Sequence, residues 1–373
     1  MTIKTFKYCA PLLVYLGSLQ AFFSQGIPVW IPVIYAWIII PLLELFIKPD
    51  SSNLSAAEEE LIKNDRSFDL FLYMIVPLQY MALGCFLWSV TYQQQSWIDI
   101  TGKVFVMGLL CGTFGINVGH ELGHRSGKGE QLLAKLLLLS SLYMHFFIEH
   151  NKGHHKRVAT PHDPASARYN EWLYAFYFRS IIFSYLSAWQ ISMRDMKKKG
   201  HAALSWRNEM LWYHIIQVSL VASLWFFLGW MTALLFTAAA LHGILLLEAV
   251  NYIEHYGLQR RTTGDGRYER AMPEHSWNSN HIIGRVMLFE LSRHSDHHYL
   301  ASRKYQVLRH HENSPQMPTG YPGMMLLASV PPAWFYVMNR KVRSVNGKVV
   351  NGEWSMVNEP PSVGEAYDST GSF

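Results

Sequence analysis

Residues 104–124 read VFVMGLLCGTFGINVGHELGH, an uncharged run through Gly119 followed by His120 and His124, four residues apart across Glu121. A run of that kind is suited to hydrocarbon, and on a helix the side chains at i and i+4 share a face. One segment thus supplies both a membrane span and a two-point grip on a cation. A hydrocarbon layer of about 30 Å takes roughly 20 residues of helix, and five further apolar runs, 8–23, 28–47, 68–90, 211–228 and 230–250, approach that length. The chain therefore reads as an all-α integral membrane protein with six transmembrane helices in three hairpins. Composition agrees: of the 373 residues 50% are hydrophobic and 16% charged, against about 25% charged in soluble domains.

Lys4 and Lys7 precede the first run without an A-x-A-like cleavage site, so it reads as an uncleaved anchor. The basic segments 125–135, 152–168, 194–207 and 260–309 all fall on one side of this arrangement, which the positive-inside rule makes cytoplasmic. Two more apolar stretches, 132–147 and 172–189, are expected to be partly embedded or interfacial. If the first crossed, His150 would lie about 25 Å from His124, and Lys135 and Arg179 would be costly in lipid. Residues 1–338 form the expected catalytic domain and 339–373 a polar tail, with a small hairpin at 342–350 around Asn346-Gly347 and a disordered last dozen residues.

Cys9, Cys85 and Cys111 stand singly, which excludes a disulfide scaffold and a cysteine-ligated iron-sulfur or rubredoxin centre. No G-x-G-x-x-G follows a strand-like run, so any redox chemistry draws electrons from outside the chain. A charge of +5 with no recognisable nucleic-acid module argues against nucleic acid as a partner.

Eighteen histidines are many for so apolar a chain, and half of them fall in four boxes. These are HELGH (120–124), EHNKGHH (149–155), NYIEHYG (251–257) and RHSDHH (293–298). They bring His120, His124, His150, His154, His155, His255, His294, His297 and His298 to one membrane level. Nine nitrogens exceed what one ion takes, whereas two ions with four or five each use the set and leave a position open. Imidazole suits iron, zinc, copper and nickel alike. Glu121, Glu149, Glu254 and Asp296 stand beside these rings and are expected to accept their second N–H. His145, His214 and His242 are lone and expected to pack; His275 and His281 are outer candidates. Gly112, Gly115 and Gly119 are expected to allow close helix approach.

HELGH alone fits a zinc protease, with Glu121 as general base, but that leaves most of the boxes unused. A metal transporter would place its ligands near the bilayer midplane, and these gather at helix ends.

The four boxes, with ATPHDPAS (159–166) and HSWNSNH (275–281), together resemble the membrane alkane 1-monooxygenases, which are integral-membrane non-haem di-iron alkane hydroxylases. Fatty-acid desaturases and sterol hydroxylases share the plan without NYIEHYG. Xylene monooxygenases are nearer, but the extra His150 favours alkanes over aromatic methyl groups. The resemblance implies two iron ions held by the nine histidines and terminal hydroxylation of medium-chain n-alkanes to 1-alkanols. It further implies O2 as co-substrate and two electrons from rubredoxin, itself reduced by an NADH-dependent rubredoxin reductase, at the cytoplasmic side of a bacterial inner membrane. Basic residues around Arg125, Lys152 and Arg260 are then the expected docking face for an acidic carrier.

Overall fold

The computed structural model describes residues 3–264 and 266–346. Among them there is no strand, only two isolated bridges, and the architecture is all-helical. Five helices among the described residues are long and apolar enough to cross a bilayer: α2 (Ile27–Phe46), α4 (Arg66–Tyr92), α5 (Trp97–Gly123), α9 (Glu209–Leu228) and α10 (Trp230–His255). The first expected span is not one of them. Pro11 in its opening turn confines the α-helix to α1, Ala10–Phe22, 13 residues or about 20 Å, preceded by a 3-10 segment, Ile3–Cys9.

Between the spans lie α3 (Ala56–Asn64), α6 (Lys128–Ser140), α7 (146–157), α8 (Leu173–Lys198), α11 (Ile282–Met287), α12 (His294–Tyr299), α13 (Tyr321–Ala328) and α14 (Pro331–Asn346). The starts follow local chemistry: Ser96 and Asp99 form a reciprocal capping box on α5, and Asp65 and Asn208 accept the first backbone N–H groups of α4 and α9. Lipid-type residues cover the outside, with Phe46, Phe226 and Phe227 strongly exposed.

The run 132–147 does not cross. It splits at Ser140, where Leu142 takes positive φ, into α6 and α7. Ser141 Oγ donates to the carbonyl of Cys111, inside α5, and Gln79 Nε2 donates to Ser140 Oγ from inside α4. The chain then climbs back to His150, whose ring centroid is 5.2 Å from that of His124. Irregular backbone at membrane depth is tolerated because it is buried in protein: Ser140 and Ser141 are both fully buried. The other stretch, 172–189, forms the first part of α8, with Trp172 as the residue before its first turn.

Close approach of α5 and α10 rests on glycine. A Cβ on Gly243 would stand 2.6 Å from Cys111 Cβ and 3.0 Å from Gly112 N. Gly115 faces Ser141, and Gly119 faces Leu138. A second core, of Tyr252, Tyr256, Trp277, Tyr321, Trp334 and Met338, closes the end of the bundle where α10, α13 and α14 meet.

The change to polar composition at Asn339 does not end the fold, because α14 continues to Asn346 with Val342 buried. That helix replaces the first strand of the expected hairpin: Val342 must pack with Met338, which a helical turn of four residues allows. The rest of the hairpin and the expected disordered tail lie outside the described residues.

Candidate metal centre

All nine box histidines converge, in two adjacent groups. His120, His124, His150, His155 and His297 form one; His154, His255, His294 and His298 form the other. Within each group the potential ligand nitrogens lie within 4.8 Å of one another. Helical phase explains the division. His120 and His124, at i and i+4 near the end of α5, share the first group; His294 and His298, at i and i+4 on α12, share the second, and His297 between them points to the first.

In the EHNKGHH box a regular α-helix would set His154, four residues on, beside His150, but the structure does not pair them so. Residues His150–His154 form a π-turn. An i→i+5 turn brings His155 rather than His154 under His150, with Nε2 atoms 2.9 Å apart. His154 is thereby turned to the second group, its Nε2 3.2 Å from that of His298.

The contacts fit a cation better than hydrogen bonds. His297 Nε2 lies 2.9 Å from His120 Nε2 and 3.1 Å from His155 Nε2, and His120 Nε2 is also 3.2 Å from His124 Nε2. In the second group His294 and His255 Nε2 are 3.3 Å apart. Each nitrogen carries at most one proton, so several lone pairs are left opposed. Two imidazole nitrogens held at about 2.1 Å from an ion and at right angles would be about 3.0 Å apart. Protonation is disfavoured as well: burial, followed by the neighbouring rings, pushes His150, His294, His297 and His298 well below the usual imidazole range and His155 to about 3. Neutral rings are the form that binds metal.

An apolar cavity of about 110 Å3 leads to both groups. Its walls include Pro32, Trp37 and Ile40 of α2, Leu109 and Phe114 of α5 and Met325 of α13, and it reaches the rings of His120, His150 and His294.

Residues 96–328 match the family described as fatty acid desaturase. Over 92% of its length the chain is 38% identical to alkane 1-monooxygenase 2 of Pseudomonas aeruginosa, covering 93% of that protein. It is 40% identical to the alkane 1-monooxygenase of Acinetobacter baylyi, over 82% of this chain and 74% of that one. The chain belongs to the alkane 1-monooxygenase family. The xylene/toluene monooxygenase hydroxylase component of Pseudomonas putida is more distant, at 25% identity over 72% of each chain.

For this family member the carboxylates around the rings differ from expectation. Glu121 accepts from Arg125 Nη2 at 2.6 Å, Glu149 from Arg157 Nη2 at 2.7 Å, and Asp296 from Arg303 Nη1 at 2.8 Å and His311 Nε2 at 2.7 Å. None of the three is hydrogen-bonded to a box histidine. The reason is geometric: successive helical residues point about 100° apart, so an acid adjacent to an inward-facing histidine turns toward its flank. Glu254 reaches a ring, but at the nitrogen that faces the group: its Oε2 lies 3.1 Å from His294 Nε2, while Oε1 accepts from Tyr321 Oη at 2.6 Å.

Asp163 was missed. His154 Nδ1–H donates to its Oδ2 at 2.8 Å, and Ser166 Oγ and Ala165 N donate to the same carboxylate. This contact leaves His154 Nε2 free for the group. Burial opposes the charged ring of His154, but the Asp163 charge outweighs it and the net movement is upward; Asp163 itself is held well below the usual carboxylate range. Its signal lay in ATPHDPAS, where an acid between two prolines has no helix to solvate.

His275 and His281 stay outside both groups: His275 Nδ1 accepts from Met272 N, and His281 Nδ1 lies 3.0 Å from Ser279 Oγ. His214 is hydrogen-bonded to Met210 O and Tyr185, His242 packs on Phe105 and Gly108, and His145 on Tyr143. Arg125 is not available for docking, because it is buried between Glu121 and Asp69.

Proposed function

We propose that this protein hydroxylates the terminal carbon of medium-chain n-alkanes to 1-alkanols, with two irons held as five and four histidines, O2 as co-substrate, and electrons from rubredoxin through an NADH-dependent reductase. The overall reaction is RH + O2 + 2 e− + 2 H+ → ROH + H2O. The observation that carries this reading is the apolar cavity ending on rings of both histidine groups. It is a route for a molecule without polar atoms, and neither a peptide nor a hydrated ion would enter it.

Two bound irons would supply O2 activation and the oxidising power to break a strong C–H bond. The remaining work falls to the chain. Asp163 keeps the proton of His154 on Nδ1, so that Nε2 faces the ion. Glu254, anchored by Tyr321, places a carboxylate oxygen beside His294 Nε2, the nitrogen that would hold the ion. Leu109, Phe114 and Met325 exclude water, and a cavity that admits the alkane lengthwise presents its end carbon first, giving terminal selectivity by access.

In the same reading six spans are completed by α1 with its preceding 3-10 segment, the catalytic domain expected over 1–338 runs on to the end of α14 at Asn346, a polar tail follows, and the metal centre faces the cytoplasm of a bacterial inner membrane. The segregation of basic residues at that end supports the orientation. The test is metal analysis of the purified protein together with octane oxidation under reduced rubredoxin and O2. About two irons per chain and 1-octanol as product are expected. Zinc-only protein that cleaves a peptide overturns the reading.

A further inference from the structure

The reaction consumes two protons and releases a water, and the alkane cavity is unsuited to either, since an unpaired polar or charged species is costly against an apolar wall. A second depression, of about 830 Å3, lies on another side of the five-histidine group. It is lined by Asp69, Tyr73, Arg125, Glu130, Ser302 and Lys304, and it reaches the ring of His124. The apolar cavity touches His120 and His150 but not His124. The two openings therefore meet the same group through different rings.

Three features mark this crevice as wet. Ser126 and Ser302 at its rim are exposed, and His124 is one of two rings in the group that are not fully buried. Its walls carry two ion pairs and a hydrogen bond: Lys304 Nζ lies 2.8 Å from Asp69 Oδ2, Arg125 Nη1 lies 3.4 Å from Asp69 Oδ1, and Tyr73 Oη donates to Glu130 Oε1 at 3.1 Å. Arg125 Nε, buried beside it, has no protein partner; a buried donor of this kind is ordinarily satisfied by water.

We infer that this crevice is a hydrophilic entrance to the five-histidine group, admitting water, protons and small anions to the His124 side while the apolar cavity admits alkane to the His120 side. The inference rests on the oxygenase reading, and it divides the reactants by polarity: RH by one opening, 2 H+ in and H2O out by the other, electrons arriving from the external carrier.

The probe is azide, a small hydrophilic anion that gives a visible charge-transfer band with ferric ions. Stopped-flow azide binding is measured on the iron-loaded full chain in lipid nanodiscs, with and without saturating octane, and on Ser302→Trp, whose ring would cover the crevice mouth. Octane is expected to change the wild-type azide on-rate less than about twofold. Ser302→Trp is expected to slow it at least about fivefold, with octane affinity unchanged and more peroxide released per electron pair. The octane arm needs no variant, so it decides the matter even if Ser302→Trp does not fold. An on-rate that octane slows fivefold or more places anion entry in the apolar cavity and overturns the inference. Failure of any azide band in a protein that also lacks iron overturns the oxygenase reading beneath it.

Discussion

The two histidine groups share the EHNKGHH and RHSDHH boxes and differ in what stands behind the rings. In the four-ring group every imidazole is buried, His154 is braced by Asp163, and Ser276 Oγ lies 3.4 Å from His255 Nδ1. In the five-ring group, among the described residues, no carboxylate is hydrogen-bonded to a ring. His150 stacks on Phe146 at 4.7 Å, and His124 and His155 keep an edge toward solvent. The contrast teaches that one group is positioned by charge and hydrogen bonding and the other by packing. An ion in the four-ring group is therefore expected to be the more firmly held, and the five-ring group to be the one that small polar reactants reach.

The largest effect follows from removing a ring. His255→Ala and His297→Ala should each lower octane oxidation at least about a hundredfold, since even indirect supports of a ligand cost 10–100-fold. Metal analysis should show about one ion lost from each variant. Loss of both ions from either single variant would erase the distinction between the groups.

Asp163→Asn comes next, with an expected 10–100-fold weakening of metal retention against a chelator. Asp296→Asn sits among the same boxes but pairs with Arg303, so it should leave metal retention within about twofold. Its cost should appear in thermal stability instead, roughly 3 kcal/mol, because a largely buried arginine loses its counter-charge. Equal effects of the two substitutions on metal would sink the claim that only one of these acids braces a ligand.

A smaller effect tests what the groups have in common. Glu290 ties the N-terminal segment to the loop before α12 through Lys7 Nζ (2.6 Å), Tyr8 Oη (2.9 Å) and Arg285 Nε (2.6 Å). Burial raises its carboxyl, but the charges of Lys7 and Arg285 prevail and hold it at about 2. A depressed folded-state value means stability that is full above the ordinary carboxylate range and is lost as pH falls toward 2. About 1 kcal/mol should be gone by pH 4, and Glu290→Gln should remove that part of the acid dependence in thermal melts. Smallest of all, a water-soluble histidine reagent should label His124 and His155 a few-fold faster than the rings of the four-ring group in metal-free protein, as read by peptide mass spectrometry. Uniform labelling would contradict the difference in exposure.

Much of this was legible beforehand. Apolar run length exposed the spans, and box spacing brought out the nine rings, because hydrocarbon thickness and helical period are fixed lengths that act on local sequence. The length of α1 was not legible, since Pro11 sets the start of the α-helix within an otherwise continuous apolar run. Nor was the exchange of His154 for His155, which depends on a π-turn at Gly153; a Cβ there would meet Arg157 Nη2 and Glu149 Oε1, each at 2.5 Å. The supporting acids were misjudged because adjacency along a helix is not adjacency in space.

Residue order thus settled that the chain is an integral membrane protein and which nine imidazoles its boxes offer, as both depend on interactions within a few turns of one helix. The division into five and four, the choice of Asp163 over Glu121, Glu149 and Asp296, and the separate approaches for apolar and polar molecules arise where helices distant in the chain pack. There the phase of each helix against its neighbours, set by glycine contacts such as Gly112 with Gly243, decides which side chain faces which.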